Sequence, residues 1–587
     1  WSQHQDIDDS NIFADLAKQV VRERTTFNES EFAEVLLLPP PPKMLNHLDT
    51  SENRFELAAY ASMLRWCGNT KSLDDGRKVH LHIARHSLQH DPHLCHLIIQ
   101  MYGECGALDD AYAFFSAMDS PNVLTCNFMM RAYARHGYGE KVLQTFHEML
   151  NKEVGPDKIT ILHALRACAC VSDGRVIHSI VMNNGLDTDT IVTNAMISMY
   201  GQCWSSHDAQ TTFAQSRKPN IITWNAMISA CVHNDLSEQA LCLFWEIQQQ
   251  GAKVDNVTYV STLDACIAVE DLAWGKRLHV YVLEARFEKD VSVGTTLINM
   301  YGKCGSLENA RRSFEDIHQR NTICWTAMMA AYVEKHKSED ALRLLSLMDE
   351  EGLHPTKITF IIALDACADI PNLFMGEILV NRIKNLNGSM NDIKISTALI
   401  NMYGRCGNVE EARQVFDNMS MVHDLGSWNA MIATYSLLGQ VNNTFHFEQM
   451  KLHGMRPNII TYVSILSACS HEGLVREACQ VFSSMNEYNV SPVEHHYNCM
   501  IDLLARAGRL DEAELLVRNI HLPSFVPAMT LLAACKTQVD VKRGVRMANL
   551  ILHLGLKSND THMVVSSIRA ARMVQAVHEA TTKLVPL

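Results

Sequence analysis

Cysteine and histidine are the first residue types to consider for chemistry, because they bind metals and act as nucleophiles. The chain has 18 Cys and 28 His among 587 residues. Zinc-dependent nucleobase deaminases need an H-x-E segment followed by P-C-x-x-C. Near the end of the chain, His578-Glu579 has no such cysteine pair after it, and no C-x-x-C occurs anywhere. The sequence therefore predicts no metal site and no cofactor.

Motifs of other enzyme classes are also missing. The chain has no GxxxxGK[ST] phosphate loop, no GxSxG elbow and no added domain with clustered acids typical of a metal-dependent nuclease. Three histidines recur in one helix motif, His80, His178 and His279, but they have no partner ligand nearby and are interpreted as packing or interface residues. The chain is predicted not to be an enzyme by itself, with no catalytic residues and no small-molecule substrate.

Three sequence markers recur with a common period of about 100 residues. MYGECG at 101–106 returns as MYGQCW, MYGKCG and MYGRCG at 199–204, 300–305 and 402–407. A cysteine that closes a short helix recurs at Cys67, Cys168, Cys266, Cys367 and Cys469. WNAMI at 224–228 returns as WTAMM at 325–329 and WNAMI at 428–432. Such internal periodicity is typical of stacked repeat units.

Each period divides into three similar units, and residues 221–255 show how one folds. Four apolar residues form one helical stripe: Trp224, Met227, Ile228 and Cys231. Asn234 and Asp235 break this helix, Ser237 can cap a second one, and Gly251 stops it. Neither helix can bury its stripe alone, so neighbouring units must stack. The predicted fold is all-α, a right-handed α-solenoid superhelix of tandem helix-turn-helix repeats.

Charge and composition limit the possible partners. The formal net charge of −14 counts against a nucleic-acid partner, since phosphate contacts favour a basic surface. Residues 1–56 carry 11 acidic and 5 basic side chains, whereas residues 525–587 carry 3 acidic and 8 basic ones, so any positive groove must be local. No apolar stretch is long enough to span a membrane. The cysteines are expected to be small buried thiols in a reducing compartment.

These residues resemble the pentatricopeptide repeat (PPR) family, in particular its plant PLS subfamily, whose arrays rotate three repeat variants called P, L and S. The long variant shows GRKVH at 76–80, GRVIH at 174–178 and GKRLH at 275–279, while GEILV at 376–380 has lost the His. YVSILSACSHEGLV at 462–475 and YNCMIDLLARAGRLDEAELL at 497–516 resemble the end of such an array. The resemblance covers about four-fifths of the chain.

The register implied by the resemblance gives three segments. Residues 1–56 form an N-terminal segment with a Pro-rich linker at 39–42. About 14 repeats in P/L/S rotation fill residues 57–524 and begin at residues 57, 92, 123, 158, 190, 221, 256, 291, 322, 357, 393, 425, 459 and 494. Residues 525–587 resemble a helical E-type extension of the family's RNA-editing branch, truncated or diverged after about residue 560.

The resemblance implies a reader of single-stranded RNA, in which each repeat meets one base through two or three side chains. The family's reading positions are the fifth and the last residue of a repeat. The fifth residue lies about 100° from the buried stripe and is expected to line the concave face. A last-position carboxylate, which only accepts hydrogen bonds, suits the imino N–H of U or G, whereas an amide suits the bare ring nitrogen of A or C. At the fifth position, Asn resembles the family's pyrimidine choice and Thr its purine choice.

Carried over residue by residue, these rules assign bases to several repeats. Asn127 with Asp157 and Asn225 with Asp255 each imply U. Asn194 with Asn220 and Asn429 with Asn458 imply C or U, Thr295 with Asn321 implies A, and Thr397 with Asp424 implies G. Thr326 with Thr356 and His96 with Asn122 depart from the pattern. The long repeats place Leu162, Val260, Ile361 and Val463 at the fifth position, where they can only space or stack.

A simpler interpretation exists for the last-position residues. Asp157, Asp255, Asn220 and Asn458 each precede a helix, where Asp and Asn are favoured N-caps. Capping does not explain the concurrent Asn or Thr at the fifth position. The pairs therefore indicate more than their members do singly.

Several functions are compatible with the resemblance. The leading interpretation is site recognition for C-to-U editing of an organellar transcript, in a mitochondrion or chloroplast, with a separate deaminase acting in trans. RNA stabilisation, splicing and end-processing are the close alternatives. A protein-binding scaffold is the rival, which the acidic charge favours and the alternating repeat lengths oppose. The first residue is Trp1 and residues 1–34 are acidic, so the true start is expected to be missing or processed and a targeting peptide is not visible.

Overall fold

The computed structural model describes residue 45 and residues 55–118, 121–216, 219–385, 392–419, 423–438, 443–520, 525–538 and 540–553. Within these ranges the regular structure is entirely helical. The N-terminal segment before residue 55, with its Pro-rich linker, lies outside the described residues except for Leu45, as does the chain after residue 553.

The helices are short and follow one another in pairs. In chain order they are α1 (Leu57–Thr70), α2 (Leu73–Arg85), α3 (Pro92–Cys105), α4 (Leu108–Ser116), α5 (Val123–Arg135), α6 (Gly139–Asn151), α7 (Lys158–Ala167), α8 (Val171–Asn183), α9 (Thr190–Gln202), α10 (Ser206–Gln215), α11 (Ile221–His233), α12 (Ser237–Gln249), α13 (Asn256–Val269), α14 (Leu272–Glu284) and α15 (Val291–Lys303). They continue with α16 (Leu307–Asp316), α17 (Thr322–Glu334), α18 (Ser338–Glu350), α19 (Lys357–Asp369), α20 (Leu373–Lys384), α21 (Ile393–Arg405), α22 (Val409–Asp417), α23 (Leu425–Leu437), α24 (Asn443–Leu452), α25 (Ile459–Glu472), α26 (Val475–Ser484), α27 (Glu494–Arg506), α28 (Leu510–Arg518), α29 (Phe525–Thr537) and α30 (Val541–His553).

One hairpin shows why the sequence folds in this way. Asn220 caps α11 by accepting from the Thr223 backbone N–H at 2.9 Å, and the Asn220 N–H donates in return to Thr223 Oγ1. The stripe of Trp224, Met227, Ile228 and Cys231 is buried. Asp235 then takes a positive φ of 56°, which turns the chain into α12. The predicted hairpin is confirmed.

The chain divides into two compact units, Trp1–Val269 and Glu270–Leu587. Within each unit, the odd-numbered helix of a hairpin (its first helix) packs against the first helix of the next hairpin. The even-numbered second helix packs against the following first helix as well. The first helices α1 to α27 begin at the residues where the sequence register opens its repeats. The all-α architecture of stacked hairpins is confirmed.

The glycine of the MYG marker allows neighbouring first helices to approach closely. A Cβ added at Gly201 would lie 2.6 Å from the Cβ and 2.8 Å from the Cα of Ala230, on the next first helix. The added Cβ at Gly103 and Gly302 would lie 2.7 and 2.8 Å from the Cβ of Ala132 and Ala331. Because these contacts are below van der Waals distance, glycine is the residue that fits this position.

The methionine and tyrosine of the same marker pack against the second helix of the preceding hairpin. Met199 lies over Gly174, where an added Cβ would be 2.5 Å from its sulfur. The Tyr200 hydroxyl is 2.8 Å from His178 Nδ1, and the same His–Tyr contact of 2.8 Å joins His80 to Tyr102 and His279 to Tyr301. The prediction that the recurring histidines are packing and interface residues is confirmed.

Helices α29 and α30 extend the stack as a further hairpin. α29 packs against α27 and α28, and Gln538 Nε2 donates to the Ala505 carbonyl oxygen. Glu514 of α28 is buried and accepts hydrogen bonds from Arg543 and Arg546 of α30 at 2.7–2.8 Å. These contacts hold the start of the C-terminal extension onto the last predicted repeat. The resemblance to an E-type motif stays a prediction.

Candidate nucleic-acid interface

A repeated hydrogen-bond device joins the first helices of neighbouring hairpins. Asp157 caps α7, with its Oδ1 accepting from the Thr160 N–H at 2.9 Å. Asn127, the fifth residue of the preceding repeat, donates from Nδ2 to the same Oδ1 at 3.1 Å. Thr160 Oγ1 closes the device by donating to Asn127 Oδ1 at 2.7 Å. Both polar ends of the Asn127 side chain are therefore engaged, and the residue is only 6% exposed.

Two other repeats have the same device. Asn225 Nδ2 donates to Asp255 Oδ1 at 3.0 Å, and Thr258 Oγ1 donates to Asn225 Oδ1 at 2.7 Å. Asn429 Nδ2 donates to Asn458 Oδ1 at 3.3 Å, and Thr461 Oγ1 donates to Asn429 Oδ1 at 2.6 Å. The structure thus brings together three pairs that the sequence register proposed.

Two further pairs meet through a third side chain. Thr295 Oγ1 lies 3.1 Å from Cys324 Sγ, and this thiol donates to Asn321 Oδ1 at 3.2 Å. The hydroxyls of Thr326 and Thr356 lie 2.8 and 2.9 Å from the Thr359 hydroxyl. In these repeats the residue three places after the last position connects the two members of the pair.

The remaining pairs are not joined by these contacts. Asn220 caps α11, while the Oδ1 of Asn194 is buried with no hydrogen-bond partner among the described residues. Thr397 donates to the Ile393 carbonyl, and Asp424 caps α23 through the Ser427 N–H.

The pair that departs from the family pattern, His96 and Asn122, also lacks the device. His96 lies 3.0 Å from the Pro92 carbonyl oxygen and stacks on Phe128. Asn122 caps α5 by accepting from the Thr125 N–H.

Burial separates the roles of the two positions. Asn225 and Asn429 are each 8% exposed, and their amides donate to the last-position residues Asp255 and Asn458. That the fifth-position residues line a concave face stays a prediction. Asp157, Asp255 and Asn458 are half-buried. The last-position group therefore reaches solvent, and the fifth-position amide holds it in place.

Aliphatic side chains flank these caps and were not singled out from the sequence. Each is the second residue of a first helix and is 40–60% exposed: Leu124, Ile191, Ile222, Ile323 and Ile460. Each of these exposed aliphatic side chains offers an apolar contact that a flat ring can pack against. Counting each repeat from its first residue would have revealed this series, because the second position recurs as Leu or Ile.

Charged side chains lie on first helices in both units. In the first unit, the pKa of His163 is lowered to about 4. Burial is the main cause, and the nearby positive charges of Arg166 on α7 and Arg131 on α5 add to it. This is a local positive cluster in an acidic protein. Asp264 of α13 differs from this cluster because it is an acidic residue. The side chains packed around it raise its pKa to about 6, although Asp264 itself is exposed to solvent.

The second unit has a groove lined by two aspartates together with Arg405 and His336. Asp365 and Asp369 of α19, with Asn401 and Arg405 of α21, line a cavity of about 340 Å³. Burial by the surrounding protein raises the pKa of Asp365 to about 6, although the nearby positive charge of Arg405 acts to lower it. The Asp365 carboxylate, when ionised, can accept a hydrogen bond from a ligand in this groove.

Neither a metal centre nor a membrane span is found among the residues that the structure describes. No three or more His, Cys, Asp or Glu side chains in those ranges are arranged to hold a metal ion. In the same ranges, every helix is too short or too polar to cross a bilayer.

Profiles of repeat families match both units. The PPR repeat family matches residues 121–170, 219–268 and 320–369. The pentatricopeptide repeat domain matches residues 447–506, and a further PPR repeat profile matches residues 295–322, 395–421 and 495–521.

Curated proteins of Arabidopsis thaliana are similar to most of the chain. A chloroplastic pentatricopeptide repeat-containing protein is 31% identical over 88% of this chain and 60% of its own length. A mitochondrial one is 30% identical over 87% of this chain and 59% of its own length. A third, 32% identical, is covered over 77% of its length. The chain thus spans about 60% of the length of the first two relatives.

Solved structures share the fold. The pentatricopeptide repeat protein PPR10 from maize superimposes with a TM-score of 0.54 at 20% identity, over 92% of this chain and 80% of the other. PPR10 in complex with an 18-nt psaJ RNA element gives a TM-score of 0.55 at 17% identity, over 91% and 87% of the two chains. At this identity the likeness concerns the arrangement of helices.

Proposed function

Because the chain belongs to the pentatricopeptide repeat family, we propose that it binds single-stranded RNA with sequence preference, meeting one nucleotide at each of several hairpins. The observation that carries this proposal is the device formed by Asn127 with Asp157 and by Asn225 with Asp255. Both place one oriented acceptor at the start of a first helix. Modular readers of RNA use such a repeated arrangement, with a few side chains for each base.

The chemistry of the device favours a base that donates a hydrogen bond. The hydrogen bonds that Asp157 accepts from the Asn127 amide and the Thr160 backbone N–H end on Oδ1, which leaves Oδ2 for a ligand. At Asp255 the Asn225 amide also lies 3.3 Å from Oδ2. A carboxylate can only accept, so it complements the imino N–H of U or G. The Asn127 amide acts as a positioning residue, because it fixes the carboxylate without being exposed itself.

The exposed aliphatics supply the second half of a base site. Ile222 follows the Asn220 cap by two residues and is 59% exposed. A base whose edge meets a cap can rest one face on such a side chain, and stacking contacts of this kind stabilise single-stranded binding irrespective of base identity.

The proposed base preferences follow the pairs. The repeats with Asn127–Asp157 and Asn225–Asp255 prefer U, and those with Asn194–Asn220 and Asn429–Asn458 prefer C or U. The repeat with Thr295–Asn321 prefers A, and the repeat with Thr397–Asp424 prefers G. Thr326 and Thr356 give no reliable preference.

An electrophoretic shift assay tests the proposal. The chain is expected to bind an oligonucleotide spelled by these pairs about tenfold more tightly than a scrambled one, a difference of about 1.4 kcal/mol. Asp255→Asn is expected to move the preference at its nucleotide from U to C, while the preference at the Asp157 repeat stays unchanged. Equal binding of the scrambled RNA would show that the pair assignment is wrong. No binding at low salt would favour a protein-binding scaffold instead.

A finer role rests on the C-terminal extension and on the relatives. The extension from Met529 to Leu552 resembles that of editing factors, and two of the relatives are named chloroplastic and mitochondrial. We propose site recognition for C-to-U editing in an organelle, with a separate deaminase. Sequencing of organellar transcripts from plants without the protein tests this role, since a single unedited cytidine is expected; altered transcript ends or retained introns would favour processing or splicing.

A further inference from the structure

Three cysteines converge where α7 ends. The long repeats that contain α13, α19 and α25 continue their first helix through Cys266, Cys367 and Cys469. In contrast, α7 stops at Ala167, so Cys168 is its C-cap with φ −70° and ψ 121°. Cys170 follows with φ −134° and ψ 150°. The Cys168 thiol donates to the Cys170 carbonyl oxygen at 3.1 Å, so the two residues are held close together in this segment.

The third thiol comes from the next hairpin. Cys203 is the C-cap of α9 and is buried, and its Sγ lies 3.7 Å from the Cys168 carbonyl oxygen. The Cys168 and Cys203 thiols are also close enough for each to shift the pKa of the other. Cys170 is exposed, with its Sγ 3.1 Å from Ser172 Oγ. One accessible thiol therefore lies beside two buried ones.

We propose that Cys168, Cys170 and Cys203 form a redox-modification site, in which a disulfide compound reacts at Cys170 and the oxidation ends as a Cys168–Cys203 disulfide between two adjacent hairpins. This proposal does not depend on RNA binding.

The chemistry is thiol–disulfide exchange, and it needs only a disulfide oxidant, written RSSR. The Cys170 thiolate attacks RSSR and releases one RS⁻, which takes up a proton. Cys203 then attacks the Cys170 sulfur of the mixed disulfide and releases the second thiol, and Cys168 attacks Cys203 Sγ and frees Cys170. Overall two protein thiols lose two electrons and two protons, which reduce RSSR to two RSH.

Burial explains why the exposed thiol must react first. It raises the pKa of Cys168 to about 12 and also raises that of Cys203, so both stay protonated, and a protonated thiol is a poor nucleophile. Cys170 has no such cover. Each later attack is intramolecular, which compensates for the small thiolate fraction.

The chain contains two comparison sites. Cys105 Sγ lies 3.6 Å from the Cys67 carbonyl oxygen, and Cys406 Sγ lies 4.0 Å from that of Cys367, in the arrangement of Cys203 and Cys168. The position of Cys170 is occupied there by Asn69 and Asp369, which have no sulfur. These pairs test whether the third thiol and the early helix end matter.

The experiment treats the reduced full chain with oxidised glutathione, blocks free thiols with N-ethylmaleimide and digests with trypsin without reduction. A peptide with Cys168 and Cys170 (167–175) is expected to be linked to the Cys203 peptide (176–217), and fragmentation assigns the bond to Cys168. Cys170→Ser is expected to slow this link about tenfold or more. Cys203→Ser is expected to leave a glutathione adduct on Cys170. Circular dichroism checks that both variants fold.

Exposed Cys242 of α12 supplies the control, since it is expected to carry only glutathione. If Cys242 is modified and no link reaches Cys203, the proposal is overturned. Equal rates in the wild type and in Cys170→Ser would also overturn it. Faster linkage of the Cys67–Cys105 or Cys367–Cys406 pair would do the same, because those sites lack the third thiol.

Discussion

Asn225 and Asp255 stand 30 residues apart in the sequence, yet their side chains meet, with the amide of one donating at 3.0 Å to the carboxylate of the other. The link spans the interface between α11 and α13 and leaves the carboxylate half-buried. Each such pair therefore couples the packing of two hairpins to the orientation of one acceptor group.

Replacing Asn225 by Ala should remove base preference at one nucleotide. The variant loses the bonds that Asn225 makes to Asp255 and Thr258, so the carboxylate is held only by Thr258 and is less firmly oriented. We expect the preference for U over other bases at that nucleotide to fall about tenfold, which corresponds to about 1.4 kcal/mol. This is close to the lower end of the range for a hydrogen bond to a charged group, about 1.5–3 kcal/mol. Competition shift assays measure it. Gln239→Ala, on a second helix, serves as control and should bind like the wild type; unchanged preference in Asn225→Ala would argue against the positioning role.

Adding one methyl group at Gly201 should destabilise the stack of α9 on α11. The new Cβ would lie 2.6 Å from Ala230 Cβ, and the backbone atoms there have no room to move. Overpacking of this kind typically costs about 1–3 kcal/mol. Urea unfolding followed by circular dichroism should show a lower midpoint. Gly155→Ala is the matched control, because nothing lies within 4 Å of its added Cβ, and a similar loss there would refute the packing argument.

Acidification should strengthen RNA binding through Asp365. Its pKa of about 6 lies above the ordinary 3.8, so the ionised form is disfavoured in the folded chain. The free energy of unfolding therefore increases as the pH falls through about 6 and this group takes up a proton. At about pH 5 the groove loses this negative charge, and affinity should rise roughly threefold relative to about pH 7.5.

Two variants isolate the effect of Asp365. Asp365→Asn should bind tightly at both pH values and show a weaker pH dependence. Glu339→Gln removes the same charge from the exposed surface of α18 and should retain the pH dependence of the wild type. A wild-type pH profile in Asp365→Asn would assign the titration to another group.

Neutralising Glu514 should release the C-terminal hairpin. Glu514→Gln leaves Arg543 buried without its central partner, although Asp540 stays 2.8 Å away, so we expect a loss of about 2 kcal/mol. Hydrogen exchange should speed up in α30 before it does in α25. Glu512→Gln, which breaks only an exposed pair with Arg509, is the control.

The pH dependence of the same contact has a definite sign. Its arginine partners hold the pKa of Glu514 near 2, below the ordinary 4.5. The stabilisation is therefore fully present above about pH 4.5 and is lost as the pH falls toward 2. Acid should detach α30 in the wild type but have no comparable step in Glu514→Gln.

Periodicity alone determined the hairpins and much of the candidate site. The MYG, WNAMI and cysteine markers located the first helices, and the register paired Asn127 with Asp157 as readers of one base. These features follow from helical period, capping and turn residues, which are properties of short stretches of chain. The interface role of His80, His178 and His279 was also foreseen, because they recur without any partner ligand.

Only the tertiary structure decided which polar groups face solvent. Asn225 and Asp255 are both candidate base contacts in the sequence, but stacking buries the first and leaves the second half-exposed, because burial depends on how closely neighbouring helices approach. The same holds for Cys168, Cys170 and Cys203, whose meeting requires α7 to end early and α9 to pack beside it. A periodic sequence specifies the repeating unit, and the distances between units set the chemistry at their junctions.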